Sequence, residues 1–314
     1  MSERVISVSG LRKSYGDFEA VRGVDLEVER GEVFAFLGPN GAGKTTTTEI
    51  LEGYRSRDAG SVAVLGVDPG SPTRAWRERI GIVLQQCRMR PELTVRETLE
   101  LYAGYYRAPR AVDETIEQVG LAEKADARAG GLSGGQQRRL DVGLALIGDP
   151  ELLFLDEPTT GFDPSARRQA WEVIAGLRAL GKTVFLTTHY MEEAQRLADN
   201  VAIIAGGRIV AEGPPAELGD RERRPAQVSF ELPPGVEIAE LPAQLDGVRA
   251  AGRLATLTTH DPVALLHTLT GWALDRGVAL ESLEVTRPSL EDIYLELTGE
   301  AEVETVEAAE VVTR

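Results

Sequence analysis

Cysteine and histidine are scarce in this 314-residue chain, and long apolar runs are missing. The one cysteine, Cys87, cannot form an internal disulfide, and three histidines are too few for a Cys/His structural metal site. No apolar run reaches the roughly 18 residues that a membrane helix needs, and the polar start lacks the apolar core of a secretory signal. We therefore expect a folded cytoplasmic protein that does not span a membrane by itself and has no zinc or redox centre.

Basic residues are also outnumbered, with 34 Lys and Arg against 50 Asp and Glu and a formal net charge of −16. An acidic chain is poorly suited to the phosphate backbone of nucleic acid, so we expect no nucleic-acid partner. A composition of 42% hydrophobic and 27% charged residues is typical of a globular protein with a sizeable core. Only 4 of the basic residues are lysines. A lysine inside a recognisable motif therefore stands out, and Lys44 is that lysine.

Short apolar runs separated by turns predict a β-rich opening, and longer periodic runs predict helices farther along the chain. The predicted strands are residues 5–8, 24–28, 33–37, 152–155 and 184–188. The predicted helices are residues 91–119, 134–147 and 164–180. Strand, helix and strand alternate over residues 152–188, as a parallel α/β sheet requires, and Gly206-Gly207 predicts a closing hairpin.

The periodic pattern breaks near residues 214–225, where prolines, a glycine and a run of charged residues follow one another. We place an N-terminal domain at residues 1–219 and a small C-terminal α/β domain at residues 220–299. The elements predicted for the C-terminal domain are strands at 227–232 and 253–258, a helix at 262–276 and a helix from Ser289. Residues 300–314 hold five glutamates and one arginine and are expected to form a disordered acidic tail.

A glycine-rich segment follows the predicted strand 33–37 and precedes a helical pattern, which is the context of a phosphate-binding P-loop. Its members are Gly38, Pro39, Asn40, Gly41, Ala42, Gly43, Lys44, Thr45 and Thr46. Glycines let backbone N–H groups face phosphate oxygens, and the helix adds the positive end of its dipole. Lys44 then reaches the β and γ phosphates of a nucleotide, and Thr45 offers its hydroxyl to Mg²⁺. A glycine turn before an ordinary helix is the alternative interpretation.

Two carboxylates, Asp156 and Glu157, end the buried strand predicted at 152–155. They emerge at the carboxyl end of the sheet, beside the P-loop. Asp156 suits Mg²⁺, directly or through water, and Glu157 can polarise an attacking water as a general base. The alternative is a strand that meets a solvated turn, because acids commonly follow strands. The P-loop upstream favours the catalytic interpretation.

The segment Leu132-Ser133-Gly134-Gly135-Gln136 opens the helix predicted at 134–147. A serine hydroxyl and glycine N–H groups at a helix N-terminus form a second phosphate-binding site, with a glycine-rich cap as the alternative. Together with the P-loop and the acid pair, the segment resembles the signature of ATP-binding cassette (ABC) ATPases. The resemblance implies the α/β fold of a P-loop NTPase, with a RecA-like core, an antiparallel β subdomain and a helical subdomain. It also implies ATP and Mg²⁺ as cofactors.

Further positions match the same family one by one. The resemblance implies that Tyr15 stacks on adenine and that His189 contacts the γ-phosphate as a switch. It implies that Gln85 senses Mg²⁺ and the nucleophilic water and passes the signal to a membrane partner, with Gln86 as a weaker candidate. Asp163 matches the acidic loop that crosses a dimer interface. Singly, such residues would more often be ordinary packing or surface residues, so their order along the chain carries the inference.

In this family the P-loop of one subunit and the signature of another complete each site. The resemblance, which covers nearly all of residues 1–215, therefore implies an ATP-bound homodimer. It predicts the ATP-hydrolysing subunit of a transporter, held peripherally at the cytoplasmic face of the membrane by a separate permease. A non-transport ABC ATPase of translation or DNA repair is the alternative, although such relatives usually carry two cassettes, coiled coils, zinc cysteines or basic arms. A metabolic P-loop kinase would have no use for the signature.

Residues 288–299 resemble the tail motif of cassette subunits in the drug-resistance, daunorubicin-type exporter branch. This resemblance implies export of a drug, a lipid or another amphiphile. The same residues also fit a capped amphipathic helix that fills a small core. Docking to a partner and core packing therefore both remain open for this segment.

Overall fold

The computed structural model describes residues 3–84, 90–218, 224–242, 245, 247–287, 291–295 and 299. The chain divides into two compact units, one within residues 1–215 and one within residues 216–295. Gln85, Gln86 and residues 300–314, for which the sequence predicts roles, lie outside the described residues.

The first unit combines nine described strands with seven described helices. Its strands are β1 (Arg4–Tyr15), β2 (Phe18–Glu29), β3 (Val33–Leu37), β4 (Ala59–Val64), β5 (Ile80–Val83), β6 (Leu152–Asp156), β7 (Thr183–Thr188), β8 (Asn200–Ala205) and β9 (Arg208–Gly213). Its helices are α1 (Lys44–Leu51), α2 (Arg74–Arg77), α3 (Val95–Ala103), α4 (Val112–Gln118), α5 (Gly134–Leu146), α6 (Pro164–Ala179) and α7 (Met191–Leu197). Across the described part of the chain, no helix has both the length and the apolar character needed to cross a bilayer.

A three-stranded antiparallel sheet in the order β2-β1-β4 forms one layer of this unit. Val8 of β1 pairs with Leu26 of β2, and both side chains are buried because alternate residues of each strand face the core. The β1–β2 hairpin turns at Gly16, where a φ of 60° favours glycine. The turn pairs Tyr15 with Phe18 and so places two aromatic side chains at the tip of the sheet.

The second sheet has the order β5-β6-β7-β3-β8-β9. It is parallel except for β9, which pairs antiparallel with β8 and confirms the hairpin predicted at Gly206-Gly207. All five residues of β3 are buried, as the apolar run predicts. Leu37 pairs with Thr188 and Asp156 pairs with Thr187, so the carboxyl ends of β3, β6 and β7 lie side by side.

The helical pattern over residues 91–119 forms two helices, α3 and α4, with an irregular segment between them. Helix α3 has Gly104 as its C-cap, and Pro109 stands in the segment that follows, where its fixed φ and missing N–H oppose a continuous helix. Helix α5 begins with a capping box between Ser133 and Gln136, so the signature segment starts a helix as predicted.

The second unit is a four-stranded antiparallel sheet with one long helix. Its elements are β10 (Ala226–Glu231), β11 (Arg249–Ala251), β12 (Leu254–Thr259), α8 (Pro262–Arg276) and β13 (Glu281–Thr286). The strand order is β11-β12-β10-β13. Helix α8 spans the predicted residues 262–276, with Asp261 as its N-cap and Gly277 as its C-cap. Residues 291–295 are helical, with Ile293 fully buried and Leu295 60% exposed, whereas Ser289, Leu290 and Leu297 of the tail motif lie outside the described residues.

Candidate functional site

The glycine-rich loop between β3 and α1 needs glycine at positions where its backbone passes close to neighbouring strands. A Cβ atom on Gly38 would lie 2.4 Å from the carbonyl oxygen of Ile204. A Cβ atom on Gly43 would lie 2.5 Å from the carbonyl oxygen of Ala20, and Gly43 also has a φ of 106°. The loop is therefore fitted between β2 and β8 by backbone contacts that a side chain would block.

The loop closes around the side chain of Lys44, which is only 7% exposed. Its ammonium donates hydrogen bonds to the carbonyl oxygens of Gly38 at 2.6 Å and Pro39 at 3.0 Å. Burial lowers the pKa of Lys44, and the nearby carboxylates of Glu157 and Asp156 act in the opposite direction. The positive charge is thus held between the loop and the acid pair.

The acid pair is oriented by Thr187 at the end of β7. The hydroxyl of Thr187 donates to Oδ1 of Asp156 at 2.5 Å. The backbone N–H of Glu157 donates to the carbonyl oxygen of Thr187 at 3.1 Å, and the hydroxyl of Thr160 donates to Oε2 of Glu157, also at 3.1 Å. Nδ1 of His189 lies 3.3 Å from Oε1 of Glu157. Asp156, Glu157 and His189 therefore lie together at one edge of the sheet, which is the edge that the sequence predicts for the two acids.

Glu157 has a left-handed backbone conformation, with a φ of 44°. Such a conformation costs a non-glycine residue of the order of 1–3 kcal/mol and persists only where its surroundings enforce it. The backbone at this position is thus strained where the chemistry is concentrated.

Two adjoining cavities form one groove along this edge. The first, of about 460 Å³, is lined by Asn40, Thr45, Asp156, Glu157, Thr160 and His189. The second, of about 240 Å³, shares Asn40, Thr45, Asp156 and Glu157 with the first. It extends along the loop to Tyr15 and Phe18. The groove therefore runs from an aromatic end to an acidic end.

The aromatic end offers an apolar platform, since Tyr15 is 41% exposed and Phe18 is 58% exposed. The guanidinium of Arg55 lies 5.2 Å from the centroid of the Tyr15 ring, and the Tyr15 hydroxyl lies 3.5 Å from Oγ1 of Thr46. These contacts fix the ring beside the N-terminus of α1. A flat aromatic base fits such a platform better than a saturated ring does.

The acidic end suits a hard divalent cation. Thr45 and Asp156 supply a hydroxyl and a carboxylate oxygen to the same cavity, and oxygen atoms are the ligands that Mg²⁺ prefers. Within the described residues there is no group of three or more His, Cys, Asp or Glu that holds a metal ion by itself. A cation here would complete its shell with phosphate oxygens and water, which is the usual arrangement for Mg²⁺.

The signature segment and Asp163 lie apart from this groove. Neither cavity is lined by Ser133, Gly134 or Asp163 among the described residues. Ser133 accepts the N–H of Gln136 at 3.3 Å as the cap of α5, and Asp163 accepts the N–H of Ser165 at 2.8 Å as the cap of α6. A single chain thus presents its signature at a second surface.

Sequence reasoning missed Thr187, Thr160, Phe18 and Arg138. Thr187 is the penultimate residue of the predicted strand 184–188, and the available signal was the change from apolar residues to two threonines at its end. Arg138 is buried in the middle of α5, and its guanidinium contacts backbone carbonyls around the acid pair. The sequence offered no clear signal for it, because Arg138 lies opposite the apolar residues Leu140 and Leu144 on which the helix is predicted.

Glu52, at the C-cap of α1, carries a pH-dependent cost to stability. Burial raises the pKa of Glu52 to about 8, and the carboxylates of Asp156 and Glu49 act in the same direction. At pH values between the pKa of Glu52 in the unfolded chain, near 4.5, and its pKa in the folded protein, about 8, the folded state binds more protons than the unfolded state does. The free energy of unfolding therefore falls as pH rises through this window, by about 1.4 kcal/mol for each pH unit.

We expect Glu52→Gln to remove most of this fall in the free energy of unfolding, because glutamine does not titrate. In thermal melts the variant should match the wild type at pH 5 and exceed its Tm by roughly 5 °C or more at pH 8.5. Glu123→Gln, at an exposed position, serves as the control. Equal pH dependence of the Tm in wild type and Glu52→Gln would contradict this role of Glu52.

Comparison with known proteins places both units in one family. A model described as ABC transporter matches residues 21–160, and one described as ABC transporter domain-containing protein-like, C-terminal domain, matches residues 226–289. Nod factor export ATP-binding protein I of Rhizobium sp. (strain N33) is 42% identical over 306 residues, covering 95% of this chain and 98% of that protein. Daunorubicin resistance ATP-binding protein DrrA3 of Streptomyces coeruleorubidus is 39% identical over 310 residues, covering 96% and 98%.

A solved structure shares the fold as well. The ATP-binding cassette MJ0796, in a dimeric post-hydrolysis state bound to ADP and Pi, matches with a TM-score of 0.59 and 25% identity. The match covers 67% of this chain and 98% of that one, and the predicted ABC ATPase fold is confirmed. With similarity over almost the full length of known ATP-binding subunits, the chain belongs to the ABC transporter family, as one of its ATP-binding and ATP-hydrolysing subunits.

Proposed function

We propose that this ATPase powers the export of a drug, a lipid or another amphiphile through a separate membrane permease. The observation that carries the enzymatic part is the meeting of Lys44, Asp156, Glu157 and His189 at one edge of the parallel sheet. The export part is supported by relatives named for Nod factor export and daunorubicin resistance, which match both units of the chain. The ATPase subunit of such an exporter would lie at the cytoplasmic face of the membrane, held there peripherally by the permease.

ATP would lie along the groove, with adenine on Tyr15 and its phosphates in the loop before α1. Backbone N–H groups of the loop and of the first turn of α1 would face the phosphate oxygens, because the glycines leave no side chain in between. Lys44 would exchange its two carbonyl partners for the β and γ phosphates. Mg²⁺ would be held by Thr45 and Asp156, together with Gln85 as a proposed ligand.

Hydrolysis needs a water molecule placed in line with the γ-phosphate. Glu157 would accept a proton from that water as its oxygen attacks phosphorus, and ADP would leave on the opposite side. His189 would contact the γ-phosphate and, at 3.3 Å from Glu157, keep the carboxylate in place. Bound Mg²⁺ would neutralise the charge that develops on the phosphate oxygens.

The exposed signature of one copy would complete the groove of a second copy. Ser133, Gly134, Gly135 and Gln136 begin a helix whose capping box uses the N–H groups of Ser133 and Gln136. The N–H groups of Gly134 and Gly135 would then bind the nucleotide carried by the other copy. Asp163 would lie at the same dimer interface. The similar cassette solved as a dimer with ADP and Pi supports this ATP-dependent homodimer.

Gly134→Ala tests the signature without disturbing the fold. A Cβ atom on Gly134 meets no atom within 4 Å, so we expect an unchanged Tm and unchanged ATP binding by the monomer. The added methyl group would obstruct a phosphate carried by the second copy, and we expect ATP-dependent dimerisation and turnover to fall at least about 10-fold. Gly131→Ala is the matched control, because its Cβ also meets no atom within 4 Å. Equal turnover in both variants would contradict the signature role.

We also propose the domain limits given by the sequence, with residues 1–219 as the ATP-binding domain, 220–299 as an accessory domain and 300–314 as a tail. The compact unit within residues 216–295 and the separate family match over residues 226–289 support an independent accessory domain. Its buried Ile293 favours a structural role for the tail motif over a docking role.

A pull-down from solubilised native membranes tests the transporter assignment. Tagged Glu157→Gln protein, incubated with ATP, should co-purify with a hydrophobic multi-span polypeptide in stoichiometric amount. Identification of that polypeptide would also identify the permease, which determines the transported substrate. Recovery of ribosomes or DNA, or of no membrane protein at all, would contradict the proposal and favour a non-transport ABC ATPase.

A further inference from the structure

Arg138 is a buried cation in the second turn of α5, with only 8% of its surface exposed. Its guanidinium donates to three backbone carbonyl oxygens on two other segments. Nη2 donates to Asp156 at 2.7 Å, Nε donates to Pro158 at 3.2 Å, and Nη1 donates to Leu84. Asp141 on the same helix lies 3.8 Å away and partly balances the charge.

Two of these carbonyl groups belong to the residues on either side of Glu157. The planar fork of an arginine can hold both at once, because its N–H groups point in fixed directions. Glu157 between them has a φ of 44°, a conformation that its own side chain disfavours. Arg138 therefore brackets the one strained residue of the acid pair and opposes its relaxation.

The third carbonyl group extends the same contact to β5. Leu84 directly follows β5 and precedes Gln85, the proposed Mg²⁺ ligand. One side chain thus connects the end of β5, the end of β6 and the helix that begins at Ser133. A shift of α5 along its axis would strain the hydrogen bonds from Arg138 to the backbone on both sides of Glu157.

We propose that Arg138 is a positioning residue that transmits the position of the signature helix to Glu157 of the same subunit. The inference rests on the proposed function, in which Ser133 and Gly134 engage the nucleotide of a second copy. Capture of that nucleotide would fix α5, and Arg138 would then align the general base of its own groove. Each site of the dimer would in this way sense whether the other is filled.

Three variants test the proposal by steady-state ATP hydrolysis. Arg138→Gln removes the fork, Arg138→Lys keeps the charge with a different donor geometry, and Arg139→Gln is the matched control. Arg139 is the next residue of α5 and donates to the carbonyl oxygen of Gly120 at 2.9 Å, away from the acid pair. We expect Arg138→Gln to lower kcat about 10²-fold with the KM for ATP within about threefold, and Arg139→Gln to stay within about twofold in kcat.

Arg138→Lys keeps the test decisive if Arg138→Gln does not fold. We expect the lysine variant to melt as a folded protein and to lose about 10-fold in kcat, because a point charge cannot reproduce the fork. Wild-type kcat in folded Arg138→Lys would overturn the proposal. Equal losses in the Arg138→Gln and Arg139→Gln variants would also overturn it, since they would indicate a general effect on α5.

Combination with Glu157→Gln separates positioning from mere stability. If Arg138 acts through Glu157, adding Arg138→Gln or Arg138→Lys to Glu157→Gln should lower kcat less than about threefold further. Losses that multiply would overturn the proposal. The proposed function fails separately, through absent hydrolysis by the wild type or full activity of Gly134→Ala. If Gly134→Ala is fully active, less than multiplicative losses of kcat in the Arg138 double variants would still show that Arg138 acts through Glu157. The link from Arg138 to the nucleotide of a second copy would then be overturned.

Discussion

Glu157→Gln is expected to bind ATP normally and to turn over roughly 10²- to 10⁴-fold more slowly than the wild type, the range for loss of a general base. Glutamine has the shape of glutamate, so it can keep the hydrogen bond that the Thr160 hydroxyl donates to Oε2 of Glu157 at 3.1 Å in the wild type. It cannot accept the proton of the attacking water. Because the γ-phosphate then remains in place, we also expect an ATP-bound dimer that does not reopen.

Phosphate release measures the first effect, and sedimentation or size-exclusion chromatography with ATP measures the second. Glu192→Gln is the matched control, since Glu192 is an exposed acid of α7 only three residues beyond His189. The control should hydrolyse ATP at the wild-type rate and form no lasting dimer. Unchanged turnover in Glu157→Gln would remove Glu157 from the role of base.

Lys44→Met is expected to weaken ATP binding by roughly 10²-fold or more and to abolish measurable hydrolysis. The ammonium would lose charge-assisted hydrogen bonds to two phosphates, each worth about 1.5–3 kcal/mol. Without nucleotide the variant loses two hydrogen bonds to the loop carbonyls but also a charge that burial disfavours, so we expect it to fold with a Tm within a few degrees of the wild type. The substitution therefore separates ligand binding from folding.

Thermal melts with and without ATP check both halves of this expectation. ATP should raise the Tm of the wild type, as any ligand that binds only the folded state does, and should leave the Tm of Lys44→Met unchanged. Lys124→Met, which removes an exposed lysine, is the control and should respond to ATP as the wild type does. A normal ATP-induced shift in Lys44→Met would rule out the proposed contact with the phosphates.

Local chemistry explains which features could be predicted from the sequence. The caps at Ser133 and Asp261 and the turn at Gly16 depend on a few neighbouring residues, so their types already indicate where elements begin and end. The P-loop is likewise one continuous segment. The helix predicted over residues 91–119 was too long, because Gly104 caps α3 and Pro109 opposes a continuous helix, and the periodic pattern hid both local signals.

The sequence by itself determined the nature of the chemistry: a phosphate-binding loop with Lys44, a strand that ends in Asp156 and Glu157, and a helix that begins with the signature. Only the tertiary structure decided the strand order β5-β6-β7-β3-β8-β9, which brings Thr187 against Asp156 and His189 against Glu157. It also decided the burial of Glu52 and the bracket that Arg138 forms around Glu157. The physical reason is that contacts between distant segments follow from the packing of the whole sheet and its helices, which no short stretch of residues encodes.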